Sequence, residues 1–359
     1  MSAPPVRRLG RAGGRRGRGF TLVELMVAVA LGLLLLVALG SLLVSTVGSR
    51  SELDKSARQI DNGRYALQLL SEDIQLAGYV GATATTSFAT VVPTPCPAAI
   101  ADLGYAPSTS PGSSTVPMPV YAPNVAPGCL SNVKSGAAIL VVTRVATTPV
   151  DVAAALASES YLQVSACGND TLPFVANVGS SAASFTLKQK DCLASKLAQL
   201  RKIVQRVYFV STCNECGTDT TPTLKMAEYV NGTMTITPLV EGIEDLQLDY
   251  GLDIDANGSP DCYTSNPSSP PAAEVAAAVC PQTTPAYDWT AANTNWTNVM
   301  AVRIHVLARN LDRSVAWVDS RTYDMGLATT AGPFNDSYKR HVYSTVARLY
   351  NGSGQRELP

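Results

Sequence analysis

From Leu25 to Ser49 the chain runs for 25 positions without a charged side chain. At 1.5 Å of rise per residue, a helix of that length crosses a hydrocarbon core of about 30 Å. Just ahead of it, Thr21 and Glu24 have the spacing of a capping box, and an acid in the first turn suits the positive end of the helix dipole. From Ser51 to Tyr79 the pattern becomes amphipathic, with Leu53, Ala57, Ile60, Leu67, Leu70, Ile74 and Ala77 at three- or four-residue steps or their sum. Gly63 interrupts this stripe and Gly78 offers a C-terminal stop. The spacing therefore predicts one helix from about Thr21 to Ala77, roughly 85 Å if unbroken. Ala28 and Gly32, with Gly40 and Gly48, are small positions suited to close helix approach within a membrane.

Beyond residue 80 the pattern changes again. Segments 83–128 and 259–297 are crowded with Pro, Ser, Thr and Ala and predict long surface excursions. Strand-type runs rich in branched residues lie between and after them: Ala138 to Val145, Tyr161 to Ala166, Ser184 to Gln189, Ile203 to Val210, Leu246 to Leu252, Val299 to Ala308 and His341 to Leu349. A long helix followed by such strands predicts an α+β fold, with the helix laid across a mainly antiparallel sheet that carries long loops. The expected divisions are 1–19, a cytoplasmic leader; 20–49, a membrane helix; 50–79, its amphipathic continuation; and 80–359, a β-rich domain.

Charge decides the orientation. Arg7, Arg8, Arg11, Arg15, Arg16 and Arg18 precede the apolar run, so the positive-inside rule keeps them in the cytoplasm and sends the body across. The rest of the chain is mildly acidic, with 21 basic against 28 acidic side chains. No dense basic face follows residue 50, which argues against nucleic-acid binding through a basic patch. With only His305 and His341, histidine-rich metal sites and most triad chemistry are unfavoured. The apolar run exceeds the core of an ordinary secretory signal, and the small residue suited to cleavage, Gly19, lies before it. A carboxylate this close to a membrane is costly unless paired, and cleavage after Gly19 would place a new ammonium on Phe20, one turn from Glu24.

The segment Arg18-Gly19-Phe20-Thr21-Leu22-Val23-Glu24, followed by a long apolar helix, resembles the class III leader of type IV prepilins. Three further blocks resemble PilW-type minor pilins: Asp61 to Ala66 with Asp73 to Tyr79, Leu239 to Gly251, and Lys339 to Leu349. The resemblance implies cleavage between Gly19 and Phe20 by a prepilin peptidase, N-methylation of Phe20, and Glu24 as the acid of the fifth mature position. It also implies an inner-membrane subunit of a Gram-negative-type envelope, N-terminus in and body periplasmic, that later enters a pilus at the cell surface. Its implied partners are other minor pilins, the major pilin and a tip adhesin. Its implied roles are priming of pilus assembly, adhesion and twitching motility. The proline usual about twenty residues into the mature helix is absent here, Ser41 standing in its place.

All eight cysteines lie beyond the membrane run, in a compartment expected to be oxidising. Eight cysteines admit 105 pairings. Neighbour pairing closes each Pro-rich excursion with one bridge and predicts Cys96–Cys129, Cys167–Cys192, Cys213–Cys216 and Cys262–Cys280. Cys213 and Cys216 also have CxxC spacing, but they follow a strand and lack a second ligand pair, so a structural bridge is expected.

Asp253, Asp255, Asn257, Ser259 and Asp261 alternate with Gly258 at the sixth place, as in a calcium loop, although Thr264 stands where a bidentate Glu belongs. An Asn-Gly turn explains the same residues. His305 is expected to be a hydrogen-bonded residue of a sheet core or face. Trp289 and Trp296 are read as anchors of the second excursion, with a ligand surface as the alternative. The Asn-x-Thr sequence Asn231-Gly232-Thr233 has no meaning without a suitable glycosylation system. No catalytic constellation emerges, so the chain is expected to be a processed structural subunit and not an enzyme. The alternatives are a minor pseudopilin of a type II secretion system, which shares the leader, and a tip binding module.

Overall fold

The computed structural model describes residues 19–81, 88–110, 112–327 and 329–357. The six leader arginines lie outside the described residues. The chain divides into two units, one ending at Asp54 and one beginning at Lys55. A single helix, α1 (Leu22–Leu76), supplies the regular structure of the first and opens the second. In the first unit the apolar side chains from Leu22 to Val47 are exposed.

The second unit continues with β1 (Ala89–Val91), β2 (Thr115–Pro117), β3 (Val120–Tyr121), β4 (Leu140–Val145), β5 (Ser160–Val164), β6 (Phe174–Val178) and β7 (Leu200–Ser211). A hairpin follows, β8 (Thr223–Val230) and β9 (Thr233–Glu241), and then β10 (Ile243–Leu252) and β11 (Cys262–Thr264). Helix α2 (Ala292–Thr297) precedes β12 (Val299–Arg309), β13 (Tyr323–Asp324), β14 (Thr330–Ala331), β15 (Arg340–Arg348) and α3 (Tyr350–Arg356). Strands β3 to β9 form a seven-stranded antiparallel sheet, with β7 pairing β4, β5 and β8. A second sheet has the antiparallel order β11-β10-β12-β15. The expected α+β architecture is observed.

The face of α1 that meets the sheets is Gln59, Gly63, Ala66, Leu70, Asp73 and Ile74, all buried, and Ala77 just past its end is buried with them. This corrects the expected stripe: Leu53 and Ile60 are 69% and 39% exposed, and Ala57 is exposed as well. The C-terminal part of the stripe packs as expected, with Leu70, Ile74 and Ala77 buried and Leu67 against the core, whereas toward the N-terminus the contact positions are Gln59 and Gly63, a polar and a small residue. Ala66, Leu70, Ile74 and Ala77 join one cluster with Val120, Leu140 and Val142 of the first sheet and Leu246, Val302 and Ile304 of the second. Alternation along β12 sends Val302, Ile304, Val306 and Ala308 into that cluster. Gly63 does not break the helix. It is the point of closest approach, since a Cβ there would lie 2.3 Å from the Tyr343 ring. Gly78, at φ 72°, terminates α1 as expected, and the Asn351 side-chain amide donates to the freed Leu76 and Ala77 carbonyls at 3.2 and 3.1 Å.

The four expected disulfides are all formed. The excursions, however, are more ordered than their composition suggested. The first contains β1, β2 and β3 and buries Leu103, Tyr105, Val116, Met118 and Val120. The second contains β11 and α2, and buries Trp296 edge-on against Tyr250 and Tyr121. The run Ser184 to Gln189 is not a strand. A 3-10 segment ends at Ser184, and Lys188 makes only an isolated bridge to Leu197. Asn231 and Gly232 turn the β8–β9 hairpin with φ 48° and 81°.

Candidate assembly site

The leader chemistry sits at the start of α1. The Thr21 backbone N–H and hydroxyl both donate to Glu24 Oε2 at 2.9 Å, and the Glu24 N–H donates to Thr21 Oγ1 at 3.2 Å. This is the reciprocal capping box that the spacing predicted. Phe20 is 86% exposed beside it, and among the described residues no atom approaches the position a Gly19 Cβ would take within 4 Å. The carboxylate faces the first turn.

In the second unit Asp61 to Ala66, Leu239 to Gly251 and Lys339 to Leu349 meet along one seam between α1 and the β10-β12-β15 face, while Asp73 turns to the first sheet. Gln59 Nε2 donates to the Ala308 and Lys339 carbonyls at 2.7 and 3.0 Å, and Asn62 Nδ2 donates to Glu241 O at 3.0 Å. Gly63 admits Tyr343, as above. At the start of β10, Gly242 adopts φ 76°, and a Cβ there would fall 2.8 Å from Arg309 O. The following Glu244 grips Arg340 of β15 through two hydrogen bonds, Nε to Oε2 and Nη2 to Oε1, the latter at 3.1 Å. Arg340 also donates to Asp319 at 2.9 Å and to Asp336 at 2.6 and 2.7 Å. The Arg340 hydrogen bond holds the Asp336 carboxyl below its ordinary range. Asp73 is buried and receives Arg144 Nε at 2.7 Å, Arg206 at 3.3 Å and the Tyr208 hydroxyl at 2.8 Å. Burial, with Asp73 beside it, pushes the Tyr208 hydroxyl well above its usual value.

Residues 207–351 match the family model of type IV pilus-assembly protein W, and residues 14–40 match that of the prokaryotic N-terminal methylation motif. The chain is a PilW-type pilin. It is a minor type IV pilin, membrane-anchored and processed by prepilin peptidase for pilus assembly. No curated protein and no solved structure matches it. The longer match begins within β7, so it takes in Gly242, Glu244, Arg340 and Tyr343 of the seam.

Two other predicted sites of this PilW-type pilin take definite forms. His305 is 8% exposed, with Nδ1 2.8 Å from Ser344 Oγ and Nε2 3.2 Å from Asp249 Oδ2. Sequence reasoning foresaw a hydrogen-bonded face residue but not its partners, which lie on β10 and β15 and are joined only by strand register. Asp249 also receives Leu327 N–H at 3.1 Å and lies 3.6 Å from the Arg303 guanidinium.

Carboxylate oxygens of Asp253, Asp255 and Asp261 come within 4.8 Å of one another. Asp253 accepts from the Asn257 and Gly258 N–H groups at 3.0 and 2.9 Å and from Arg356 Nη1 at 3.0 Å. Asp261 accepts from Ile254 N–H at 2.7 Å, and Asn257 Oδ1 accepts from Ser259 N–H at 2.8 Å. Thr264 donates to Glu274 at 2.8 Å. The loop's oxygens thus already satisfy its own amides, and Arg356 brings a cation to Asp253. Trp296 is the anchor expected, its indole N–H donating to Ser268 Oγ at 2.8 Å, and Trp289 stacks at a tilt on Tyr287.

Proposed function

We propose that this pilin is cut between Gly19 and Phe20, N-methylated on Phe20, and held in the inner membrane with its second unit periplasmic. It then joins other minor pilins in a priming or tip complex of the pilus, serving adhesion and twitching motility at the cell surface. The observation that carries this is the leader match beginning at residue 14, together with the capping box that aims Glu24 back at the first turn. Once Phe20 bears a free amine, Glu24 offers a counter-charge to that amine or to a neighbour's during insertion. The chain contributes no catalysis; the peptidase and methylation chemistry are done to it.

Mass spectrometry of the N-terminal peptide from the native envelope tests the processing. N-methylated Phe20 is expected; an intact leader, or a cut beyond residue 49, overturns it. Glu24→Ala is expected to keep the cut and lose most co-purification with other pilins. Loss of secreted enzymes with intact piliation in a deletion strain would move the protein to a type II secretion system. No cofactor is proposed, Arg356 balancing Asp253 in the candidate calcium loop. Calorimetric titration of the full chain should show no heat at millimolar calcium, and saturable heat would install calcium there.

A further inference from the structure

The segment between β12 and β13, residues 310–322, presents an apolar tip to solvent. Val315 is 95% exposed and Val318 64%, with the chain turned between them by Ala316 at φ 59°. Trp317 is half-buried beneath them and donates its indole N–H to Tyr338 O at 3.2 Å. The Arg321 guanidinium and the Lys339 ammonium lie 5.1 and 5.7 Å from its ring. Behind the tip is a cavity of about 340 Å³, whose wall includes Arg64, Arg321, Lys339, Arg340 and His341 and no carboxylate. Arg340 is neutralised by Glu244, Asp319 and Asp336. Arg64 and Arg321 have no ion pair with a described residue. The hydroxyl of Tyr343, on the same wall, is buried without a hydrogen-bond partner among the described residues.

The position of this surface along the chain decides what it meets. Lys55 Nζ donates to Arg313 O at 2.9 Å, tying the loop to α1. Lys55 follows Ser49, the last residue of the charge-free run, by six positions. Six residues reach no more than about 20 Å even when fully extended. For any course of the chain, Lys55 and the loop bonded to it therefore stay within reach of the headgroup layer that borders the hydrocarbon core. Exposed valines, a tryptophan and unpaired arginines are the side chains that this layer accepts, the ring at headgroup level and the cations on anionic lipid. Asp312 is the exposed acid of the loop; Asp319 is buried and taken by Arg340 and Tyr323.

We propose that residues 313–321 form a second, peripheral membrane contact: Val315 and Val318 enter the interface while Arg64, Arg313 and Arg321 receive anionic phospholipid headgroups. The proposal rests on residues 25–49 spanning the bilayer. It gives the periplasmic body a preferred seat on the membrane before the subunit is extracted into a pilus.

The test uses the full chain reconstituted in vesicles of phosphatidylcholine, with or without phosphatidylglycerol, brominated on the acyl chains just below the headgroups. The Trp317 signal is the difference in fluorescence quenching between the native chain and Trp317→Phe. Trp317-dependent quenching is expected, several-fold stronger with phosphatidylglycerol, unaffected by millimolar inorganic phosphate, and lost in Val315→Asp/Val318→Asp. Both valines are solvent-facing, so circular dichroism of that variant should match the native chain.

A chain that floats with the vesicles yet shows no Trp317 quenching overturns the loop contact and leaves the anchor standing. A chain that does not float overturns the anchor, and the proposal with it. Suppression of the phosphatidylglycerol effect by inorganic phosphate would make the cavity a soluble-anion site and overturn the headgroup assignment. Protection of Trp317 that appears only with other pilins present would assign the surface to a neighbouring subunit and overturn it as well.

Discussion

Gly63 shows how one residue reverses its ordinary meaning in context. In an exposed helix, Gly→Ala stabilises by about 1 kcal/mol. Here the added Cβ collides with the ring of Tyr343. Overpacking of this kind costs about 1–3 kcal/mol. Gly63→Ala is therefore expected to lower the melting temperature, and Gly63→Ala combined with Tyr343→Ala to cost less than the two changes summed. Additive costs in that double-mutant cycle would show that the close approach is not limiting. Asp73 carries larger stakes, because it is 4% exposed and faces two guanidinium groups. Removing one partner of a buried ion pair costs about 3–5 kcal/mol. Asp73→Ala should accordingly lose that much in denaturant unfolding of the full chain in detergent, while Asp61→Ala, an exposed change on the same helix, should lie within about 0.5 kcal/mol of native.

Among the elements, the two Pro-rich excursions owe their order to cross-links and to a few aromatic anchors more than to local propensity. Cys262–Cys280 closes a loop of sequence separation 18 that leads into α2 and Trp296. The chain-entropy model assigns a bridge of this size about 3 kcal/mol. Replacing both cysteines with serine should destabilise by about that amount and expose Trp296, read as a red shift of its fluorescence. An unchanged spectrum would mean that the tyrosines around Trp296 suffice to hold it. Helix α2 is too short to be read from periodicity, and β1, β2 and β3 are two or three residues each, so pairing and not composition creates them. The hairpin of β8 and β9 was legible in principle from its Asn-Gly turn, the one local signal among the missed elements.

Across the whole molecule, stability follows the acids that bind the elements together. Asp336 is lowered by its Arg340 hydrogen bonds, Glu159 by Lys202, and Asp219 by the N–H groups of Asn214, Glu215 and Thr221. A depressed folded-state pKa stabilises above the unfolded value and is lost as pH falls through the folded one. The melting temperature of the full chain should thus fall steadily as pH drops below the ordinary Asp and Glu values of 3.8 and 4.5. Asp245 acts in the opposite sense, since burial raises it, and its variant Asp245→Asn should flatten none of that acid limb. A melting temperature constant down to pH 2 would refute the role of these pairs.

Sequence alone determined the leader, the membrane run, the capping box and the α+β class, and it favoured neighbour pairing among the 105 that the cysteines admit. Each of these is carried by residues near one another in the chain, by uninterrupted apolarity, or by loop composition. Tertiary structure decided which face of α1 packs, because Gln59, Gly63 and Asp73 are buried by partners far away in sequence. It also decided that Glu244 meets Arg340, that His305 joins Asp249 to Ser344, and that Lys55 binds the loop at Arg313. Those contacts depend on strand register and sheet order, which no local pattern encodes.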